Sequence, residues 1–443
     1  MTHHLARSRV TKALTDANLA ASFAAAEARL DAVHPCVVVG AQAAYTAAGQ
    51  CAALTVAATA CKCFGRIQLA GAGLDAPLLQ PLPIGRTLGA AAQALGAHVA
   101  TAIGPATTHL VRIENSTPWQ GWQVFTWWNR WLAGTRPFPQ LAGCQSFTLA
   151  GMFAGALAVR QIFANIRNNA PPRDETVSLW EPDQTVNPDR IGPVRFTMPN
   201  HLWLVGLGHL GQAFVWGLLA LPFQNERHII LQDDQWIGVE NESTSLLVGT
   251  DDIGRRKVRV AARWLDHAGW TTELIERRHL GDIHRTVQDP SILLAGLDDV
   301  RPRRLLAAQG FDYMIDAGIG HGARDFESLQ IRTIPAGAPF ENLWLDQSQN
   351  FGREHLMAKG AYRALEQVVG QCGVIPLADA SVSVPFVGAA TAALALAQLA
   401  RLGAMAPAPA LLQLELGAPA MVISGEAIAA PAAFLGGETF MLG

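Results

Sequence analysis

One stretch of the chain alternates hydrophobic runs with a glycine turn and a helical pattern. Residues 202–205 are hydrophobic and lead into Gly206, Gly208 and Gly211. A helical pattern follows over residues 213–221, and a second short strand, 228–231, with three hydrophobic residues, ends shortly before Asp233. Glycines let phosphates approach the bare backbone, and the start of the next helix supplies amide donors and a positive dipole end. The pattern predicts a strand–helix–strand unit that binds a nucleotide near residue 206.

The same succession occurs earlier in the chain. Residues 35–40 resemble residues 202–206, and each run is followed by a helical segment, a short strand and an Ile-Gly-Arg sequence. The strand glycine and the Ile-Gly-Arg glycine are 45 residues apart in the first copy and 48 in the second. Similar hydrophobic helices lie late in each copy, at 149–159 and 385–395. The repeat predicts two tandem α/β domains, residues 1–190 and 191–443.

The two copies differ where a nucleotide would bind. The first copy has no glycine soon after Gly40, and Gly71, Leu88 and Asn115 stand about opposite Asp233, Lys257 and Asp298. The second copy is therefore expected to keep a nucleotide site that the first has lost.

Composition excludes several other classes of protein. Of 443 residues, 50% are hydrophobic and only 16% are charged, which is typical of well-buried globular domains. Lys and Arg number 33 against 36 Asp and Glu, so charge gives no reason to expect nucleic acid or an anionic membrane as partner. The cysteines form neither a disulfide framework nor a C-x2-C zinc pair, and we expect reduced thiols and a cytoplasmic location. They are Cys36, Cys51, Cys61, Cys63, Cys144 and Cys372.

Residues 381–400 contain no charged residue and raise the question of a membrane span. Pro385, Gly388 and Gln398 interrupt this segment, and Arg401 follows it directly. We expect a buried helix that begins after Pro385, and the N-terminus has no hydrophobic signal-peptide core.

The glycine turn alone does not identify the nucleotide, because oxidoreductases, methyltransferases and adenylating enzymes share it. The downstream residues are more specific, and over about 200–305 the chain resembles the superfamily of ubiquitin-activating and sulfur-carrier-adenylating (ThiF-like) enzymes. That superfamily has a glycine turn, an Asp after the second strand, an Asn, an Ile-Gly-x-x-Lys and a later Asp-Asn-x-x-x-Arg. The matching residues are Gly206, Gly208, Gly211, Asp233, Asn241, Lys257 and Asp298.

The resemblance implies two tandem Rossmann-like adenylation domains, with mainly parallel doubly wound sheets arranged about a pseudo-two-fold axis. The first domain would be inactive and the second would bind ATP and Mg²⁺. Asp233 would hold the ribose hydroxyls, Asn241 and Lys257 the phosphates, and Asp298 the Mg²⁺. The expected reaction is adenylation of the C-terminal carboxylate of a ubiquitin-like or sulfur-carrier protein with release of pyrophosphate, followed by thioester formation.

The match departs from the family at two places. Thr244 stands where the family has an Arg, and a hydroxyl cannot replace the charge of a guanidinium. Arg7, Arg9, Arg255 or Arg256 could supply that charge instead. The paired C-x-x-C zinc motif of many relatives is also absent. These departures leave open a catalytically weak ATP-binding scaffold, and the glycine turn alone leaves open an NAD-dependent oxidoreductase.

Relatives with a minimal thiol segment carry a nucleophilic cysteine shortly before the last long helix. Cys372 occupies a similar place, in a segment near 345–385 where we expect a glycine-flanked loop. A buried structural thiol is the alternative. The implied partners are a ubiquitin-like or sulfur-carrier protein and a conjugating enzyme, and a homodimer stays open. Bacterial relatives of this type occur in ubiquitin-like conjugation operons, some of them antiviral.

Overall fold

A computed structural model gives the architecture of the chain. It describes residues 6–140, 143, 145–184, 191–340, 342–344, 350–419, 422–429 and 437–442. The side chains of residues 350–353, 369 and 371–373 lie outside this description. The predicted domain boundary, near residue 190, also lies outside the described residues and stays a prediction.

The N-terminal part of the chain forms two helices and then a mixed succession of strands and helices. In chain order these are α1 (Ser8–Thr15), α2 (Phe23–Asp31), β1 (Pro35–Val39), α3 (Ala41–Ala44), α4 (Ala47–Phe64), β2 (Gln68–Gly71), α5 (Leu88–Ala94), β3 (His98–Val99), β4 (His109–Ile113), β5 (Trp122–Asn129), β6 (Leu132–Arg136), α6 (Thr148–Asn168) and β7 (Glu175–Ser178).

The C-terminal part follows a similar succession. Its elements are β8 (Arg195–Pro199), β9 (His201–Val205), α7 (His209–Ala220), β10 (His228–Gln232), two 3-10 turns (Val239–Asn241 and Thr250–Asp252), α8 (Lys257–His267), β11 (Thr271–Ile275), β12 (Ile292–Ala295), α9 (Val300–Ala307), β13 (Tyr313–Ile319), β14 (Ser328–Pro335), α10 (Asn350–Met357), α11 (Gly360–Val369), α12 (Gln371–Asp379), α13 (Pro385–Gly403), β15 (Ala408–Pro409), β16 (Leu411–Glu415), β17 (Val422–Ser424), β18 (Ala427–Ile428) and β19 (Gly437–Met441).

Each part builds one large sheet, and the two sheets share a strand order. The first sheet runs β3-β2-β1-β4-β5-β6-β7, and the second runs β11-β10-β9-β12-β13-β14-β16-β17. The first five strands of each sheet are parallel, and the remaining strands are added antiparallel. The fold is therefore α/β, with Rossmann-like parallel strands inside mixed sheets. The predicted pseudo-two-fold arrangement stays a prediction.

Three long hydrophobic helices form the centre of the molecule. Within the described chain, α4, α6 and α13 have the length and hydropathy of membrane-spanning segments, yet 83%, 94% and 89% of their hydrophobic windows are buried. α4 packs on α6, and α13 packs on α6 and α7. Core packing accounts for their hydrophobicity, including that of the segment after Pro385.

Polar contacts join the two parts across this core. The Trp216 indole donates to the Thr55 hydroxyl at 3.0 Å. The Arg160 guanidinium donates to Glu175 of its own part at 3.2 Å and to Glu327 of the other at 2.9 Å. Because these groups are buried, removing one partner would leave the others unsatisfied.

Candidate functional site

A cleft of about 1500 Å³ crosses the carboxyl ends of the parallel strands in the second sheet. Ligands of open α/β sheets bind at this edge. Of the eight residues predicted from the sequence, six line the cleft and Gly211 does not, while the side chain of Cys372 lies outside the described residues. The six are Gly206, Gly208, Asp233, Asn241, Lys257 and Asp298.

Glycine is required for a different physical reason at each of the three positions in the turn after β9. Gly206 has a φ of 84°, which side chains rarely adopt. A Cβ at Gly211 would lie 1.8 Å from the carbonyl oxygen of Gly206, so the helix could not pack against the turn. At Gly208 the nearest atom to an added Cβ is the Lys257 Nζ, at 3.9 Å. Gly208 thus leaves open space at the start of α7, which a phosphate could enter.

The Asp233 carboxylate fixes this turn to the end of β10. One oxygen accepts a hydrogen bond from the Leu207 amide at 2.7 Å, and the other accepts from the Gln235 amide at 2.7 Å. Burial raises the pKa of Asp233, and the nearby Lys257 ammonium opposes that rise. Asp233 therefore organises the turn while it faces the cleft.

Lys257 is the first residue of α8, and its side chain is only 6% exposed. Its ammonium donates to the Gln235 side-chain oxygen at 2.6 Å. Asn241 is also 6% exposed, and its side-chain oxygen accepts from the Gly238 amide at 2.9 Å. Both side chains are held by neighbouring groups, so the cation and the amide are preorganised at the cleft wall.

Asp298 lies in the exposed loop between β12 and α9. Within the described residues, no three His, Cys, Asp or Glu side chains cluster in a way that could hold a metal ion. Asp298 is therefore considered as a single carboxylate ligand, without a preformed cluster around it. That donor set fits Mg²⁺, which commonly binds through one or two carboxylates, substrate phosphates and waters.

Arg9 reaches this cleft from α1, at the other end of the chain. Its guanidinium donates to the Ser381 carbonyl at 3.1 Å and to the Ser381 hydroxyl. The Arg9 carbonyl in turn accepts from the Ser383 amide at 3.2 Å. Burial lowers the pKa of Arg9, while the charges of Asp298 and Glu240 raise it. The N-terminal part of the chain thus contributes a cation to the site of the C-terminal part.

The other three arginines considered from the sequence do not line the cleft. Arg7 pairs with Glu27 at 3.0 Å and Asp31 at 2.6 Å. Arg256 lies 4.2 Å from the centroid of the Trp236 ring, and Arg255 is mostly exposed. Arg9 is therefore the only one of the four candidates placed to contact a bound phosphate.

Thr244 turns away from the cleft. It is 1% exposed, and its hydroxyl donates to the Glu240 carbonyl at 3.3 Å. Ser245 beside it is completely buried. This segment is packed as interior, so Thr244 does not act as a short substitute for the family arginine.

The expected loop around Cys372 is wrong, because the structure has a helix there. α12 begins at Gln371, directly after Gly370, whose φ of 72° ends α11. A positive φ at glycine reverses the chain between two helices. Cys372 is the second residue of α12, and its side chain lies outside the described residues.

The thiol-bearing segment is attached to the N-terminal helices by buried polar contacts. The Lys12 ammonium contacts Asp16 at 2.9 Å and the Tyr362 hydroxyl at 2.5 Å. The Tyr362 hydroxyl donates to Asp16 at 2.8 Å. Burial raises the pKa of Tyr362, so the phenol stays protonated and can donate. α1 therefore carries Arg9 into the cleft and also anchors α11.

Sequence reasoning missed His209 and Ser383, which also line the cleft. The His209 Nδ1 lies 2.7 Å from the Ser383 hydroxyl oxygen. Burial and the nearby Arg9 lower the pKa of His209 to about 3, so its ring is neutral. A Cβ at Gly388 would lie 2.3 Å from the His209 Nε2. Only the position of His209, next to the glycine turn, could have indicated this contact.

Two tandem α/β units, with a glycine-turn cleft at the strand ends of the second, define a Rossmann-like class of protein. The chain belongs to the BilD family of bacterial E1-like proteins. The models of the BilD N-terminal and C-terminal domains match residues 36–179 and 198–405. The chain is 32% identical over 412 residues to the bacterial E1-like protein BilD of Collimonas sp. (strain OK412), covering 90% of this chain and 88% of that protein. The predicted membership of the E1-like superfamily is confirmed.

Two solved structures of E. coli MccB are also similar. The structure with MccA-N7isoASN is 15% identical with a TM-score of 0.35, and the match covers 53% of this chain and 66% of MccB. The structure with AMPCPP and selenomethionine MccA is 14% identical with a TM-score of 0.34, over 54% and 66%. Likeness at this level carries no argument about the site.

Proposed function

We propose that this protein uses ATP to adenylate the C-terminal carboxylate of a ubiquitin-like or sulfur-carrier protein. The observation that carries the proposal is the cleft at the strand ends of the second sheet. It combines an open glycine turn, the Asp233 carboxylate at the end of β10, the buried Lys257 and the half-buried Arg9, which comes from the N-terminal part of the chain. Membership of the E1-like BilD family supports the same chemistry.

Each residue has a role that its surroundings support. Asp233 accepts hydrogen bonds from the ribose hydroxyls, and the amides at the start of α7 bind phosphate beside Gly208. Lys257 and Arg9 neutralise the negative charge of the phosphates, and Asn241 contacts them through its amide. Because Lys257 is buried and Arg9 is half-buried, their charges act more strongly here than at an exposed surface.

The proposal includes Mg²⁺, which would bind together with the nucleotide. Asp298 would hold it, with phosphate oxygens and waters as the other ligands, and it would neutralise charge on the leaving pyrophosphate. The exposed position of Asp298 suits a metal that arrives with its nucleotide.

The first chemical step joins the two substrates. A carboxylate oxygen of the carrier attacks the α-phosphorus of ATP, and the bond to the bridging oxygen breaks. Pyrophosphate leaves with the electron pair, and an acyl-adenylate forms. Lys257 and Arg9 stabilise the charge that accumulates on pyrophosphate.

The second step would use Cys372. Its thiolate attacks the acyl carbon, the carbon–oxygen bond to AMP breaks, and a thioester remains on the protein. Cys372 is the second residue of α12, and its thiolate form is the nucleophile that this step requires. The other partner in the proposal is a conjugating enzyme that accepts the acyl group, and the proposed location is the cytoplasm.

ATP–pyrophosphate exchange tests the first step. Candidate carriers are small proteins that end in glycine and are encoded beside this chain's gene. We expect exchange of labelled pyrophosphate into ATP only when the carrier is present. Saturable NADH binding without ATP binding would instead indicate a dehydrogenase.

A separate experiment tests the second step. Cys372→Ala should keep pyrophosphate exchange and lose the thiol-sensitive conjugate with the carrier. Cys61→Ala is the matched control, since Cys61 is half-buried and its pKa is raised by burial, and it should keep both activities. A conjugate that survives in Cys372→Ala would remove the thioester from the proposal.

A non-catalytic ATP-binding scaffold is the second candidate function. Thr244 favours it, because the family arginine is missing and the Thr244 side chain is buried away from the cleft. Tight ATP binding with no pyrophosphate exchange, under any carrier, would select the scaffold.

A further inference from the structure

His279 is a buried histidine without hydrogen-bond partners at one end of the cleft. It is 3% exposed and lines the cleft. Both ring nitrogens, Nδ1 and Nε2, are buried, and neither has a hydrogen-bond partner within the described part of the chain. A buried polar group without a partner costs about 1–3 kcal/mol, so native proteins keep few of them. A ligand in the cleft would supply the missing partner.

The position of His279 relative to the strands indicates which part of a ligand it would meet. The glycine turn follows β9, Asp233 follows β10, and His279 follows β11. These strands are neighbours in that order, and the Asp233 amide donates to the Ile275 carbonyl of β11 at 3.2 Å. A nucleotide with its phosphates at the glycine turn and its ribose at Asp233 therefore extends its base toward β11.

The charged neighbours of His279 are already engaged. Arg277 pairs with Asp282, and Arg278 lies 3.6 Å from Asp234. Burial lowers the pKa of His279, and Arg277 and His284 add to that effect while Asp282 opposes it. A neutral imidazole has one nitrogen that donates and one that accepts. It suits the polar edge of an uncharged heterocycle better than a phosphate, which calls for a cation.

We propose that His279 binds the purine base of the nucleotide by a hydrogen bond and so forms the base subsite of this cleft. This inference rests on the proposed function, because it takes the phosphates to lie at the glycine turn. Sequence motifs do not identify the residue, since it follows a strand whose own side chains are mostly exposed.

The test compares two ligands that differ only by the base. The affinities of the full-length protein for ATP and for ribose 5′-triphosphate are measured by calorimetry, for the wild type and for His279→Leu. We expect His279→Leu to weaken ATP binding about tenfold, the usual effect of one buried hydrogen bond. Binding of ribose 5′-triphosphate should change less than twofold.

Lys257→Ala is the matched variant, because Lys257 faces the phosphates, and it should weaken both ligands equally. Unchanged ribose 5′-triphosphate binding by His279→Leu also shows that the variant is folded. Equal weakening of both ligands, or unchanged ATP binding, would overturn the base subsite. A wild-type protein that bound neither ligand would overturn the proposed function itself, which is a distinct result.

Discussion

In the first sheet the short helix α3 begins at Gly40 without a side-chain cap, and the long helix α4 that follows carries its own cap. In the second sheet the long helix α7 begins directly at a bare glycine. The Thr46 hydroxyl accepts a hydrogen bond from the Gly49 amide at 3.1 Å at the start of α4. Gly208 precedes α7 and provides no side-chain cap. The first amides of α4 are therefore partly satisfied within the protein, and those of α7 stay available for an anion.

The neighbouring strand ends show the same contrast. Asn115 follows β4, and its side-chain oxygen accepts from the buried Arg112 at 3.1 Å. Asp298, at the corresponding place after β12, is exposed and lines the cleft. The two sheets share a strand order, but they differ in whether the polar groups at their strand ends are hydrogen-bonded within the protein or open to the cleft. A duplicated fold can keep the scaffold and lose a ligand site through a few such contacts.

The largest expected effect comes from Lys257→Ala, which removes the cation beside the open turn. We expect carrier-dependent pyrophosphate exchange to fall about 10³-fold, because preorganised charge in a buried site is worth several kcal/mol. Arg259→Ala on the same helix is the control, since the exposed Arg259 pairs with Glu276, and it should change exchange less than twofold. A loss below tenfold in Lys257→Ala would contradict the assignment of the second sheet as the active one.

Arg9→Ala tests whether the N-terminal part of the chain supplies a cation that the site of the C-terminal part needs. We expect exchange to fall about 10²-fold, with a smaller loss in Arg9→Lys, which keeps the charge but not the geometry. Equal exchange in Arg9→Ala and the wild type would show that the second part works without a cation from α1.

Gly208→Ser would give α7 a side-chain cap like the one that Thr46 provides for α4. The new hydroxyl could accept from the Gly211 amide, three residues on, as Thr46 does from Gly49. We expect ATP affinity to fall about tenfold in calorimetry, with thermal stability unchanged or slightly higher. The reverse change, Thr46→Ala, should leave ATP affinity unaltered and lower the free energy of unfolding by about 1 kcal/mol. Unchanged ATP affinity in Gly208→Ser would separate the open turn from nucleotide binding.

The smallest expected effect concerns Lys62, which joins the first part to the segment that carries Asn241. Its ammonium donates to the Glu242 carbonyl at 2.6 Å and the Val248 carbonyl at 2.8 Å, and burial lowers its pKa to about 8. The unfolded chain then binds the extra proton between about pH 8 and pH 10.5, so this residue makes stability rise with pH in that window.

Denaturant unfolding of the wild type and Lys62→Met checks this prediction. The wild type should gain roughly 1–3 kcal/mol relative to Lys62→Met between pH 8 and pH 10. Parallel pH profiles for the two proteins would mean that Lys62 titrates as an exposed lysine.

The sequence located the parts of the site that depend on local chain geometry. Gly206, Gly208 and Asp233 belong to one strand–turn–helix–strand unit, in which spacing alone fixes their relation. The glycines that flank Cys372 are typical of turns and predict a loop, but Gly370 only separates two helices. Glycine spacing does not distinguish a flexible loop from a tight junction.

The repeated hydrophobic pattern and the glycine turn determined the α/β class, the two successive α/β units and the place of the cleft, because burial and turn geometry act over short stretches of chain. The contact of Arg9 with Ser381 spans 372 positions, and that His279 has no hydrogen-bond partner among the described residues becomes visible only once its neighbours are in place. The contacts of such groups depend on packing between distant elements, because a charged or imidazole side chain finds its partners only on the elements that the tertiary structure brings next to it.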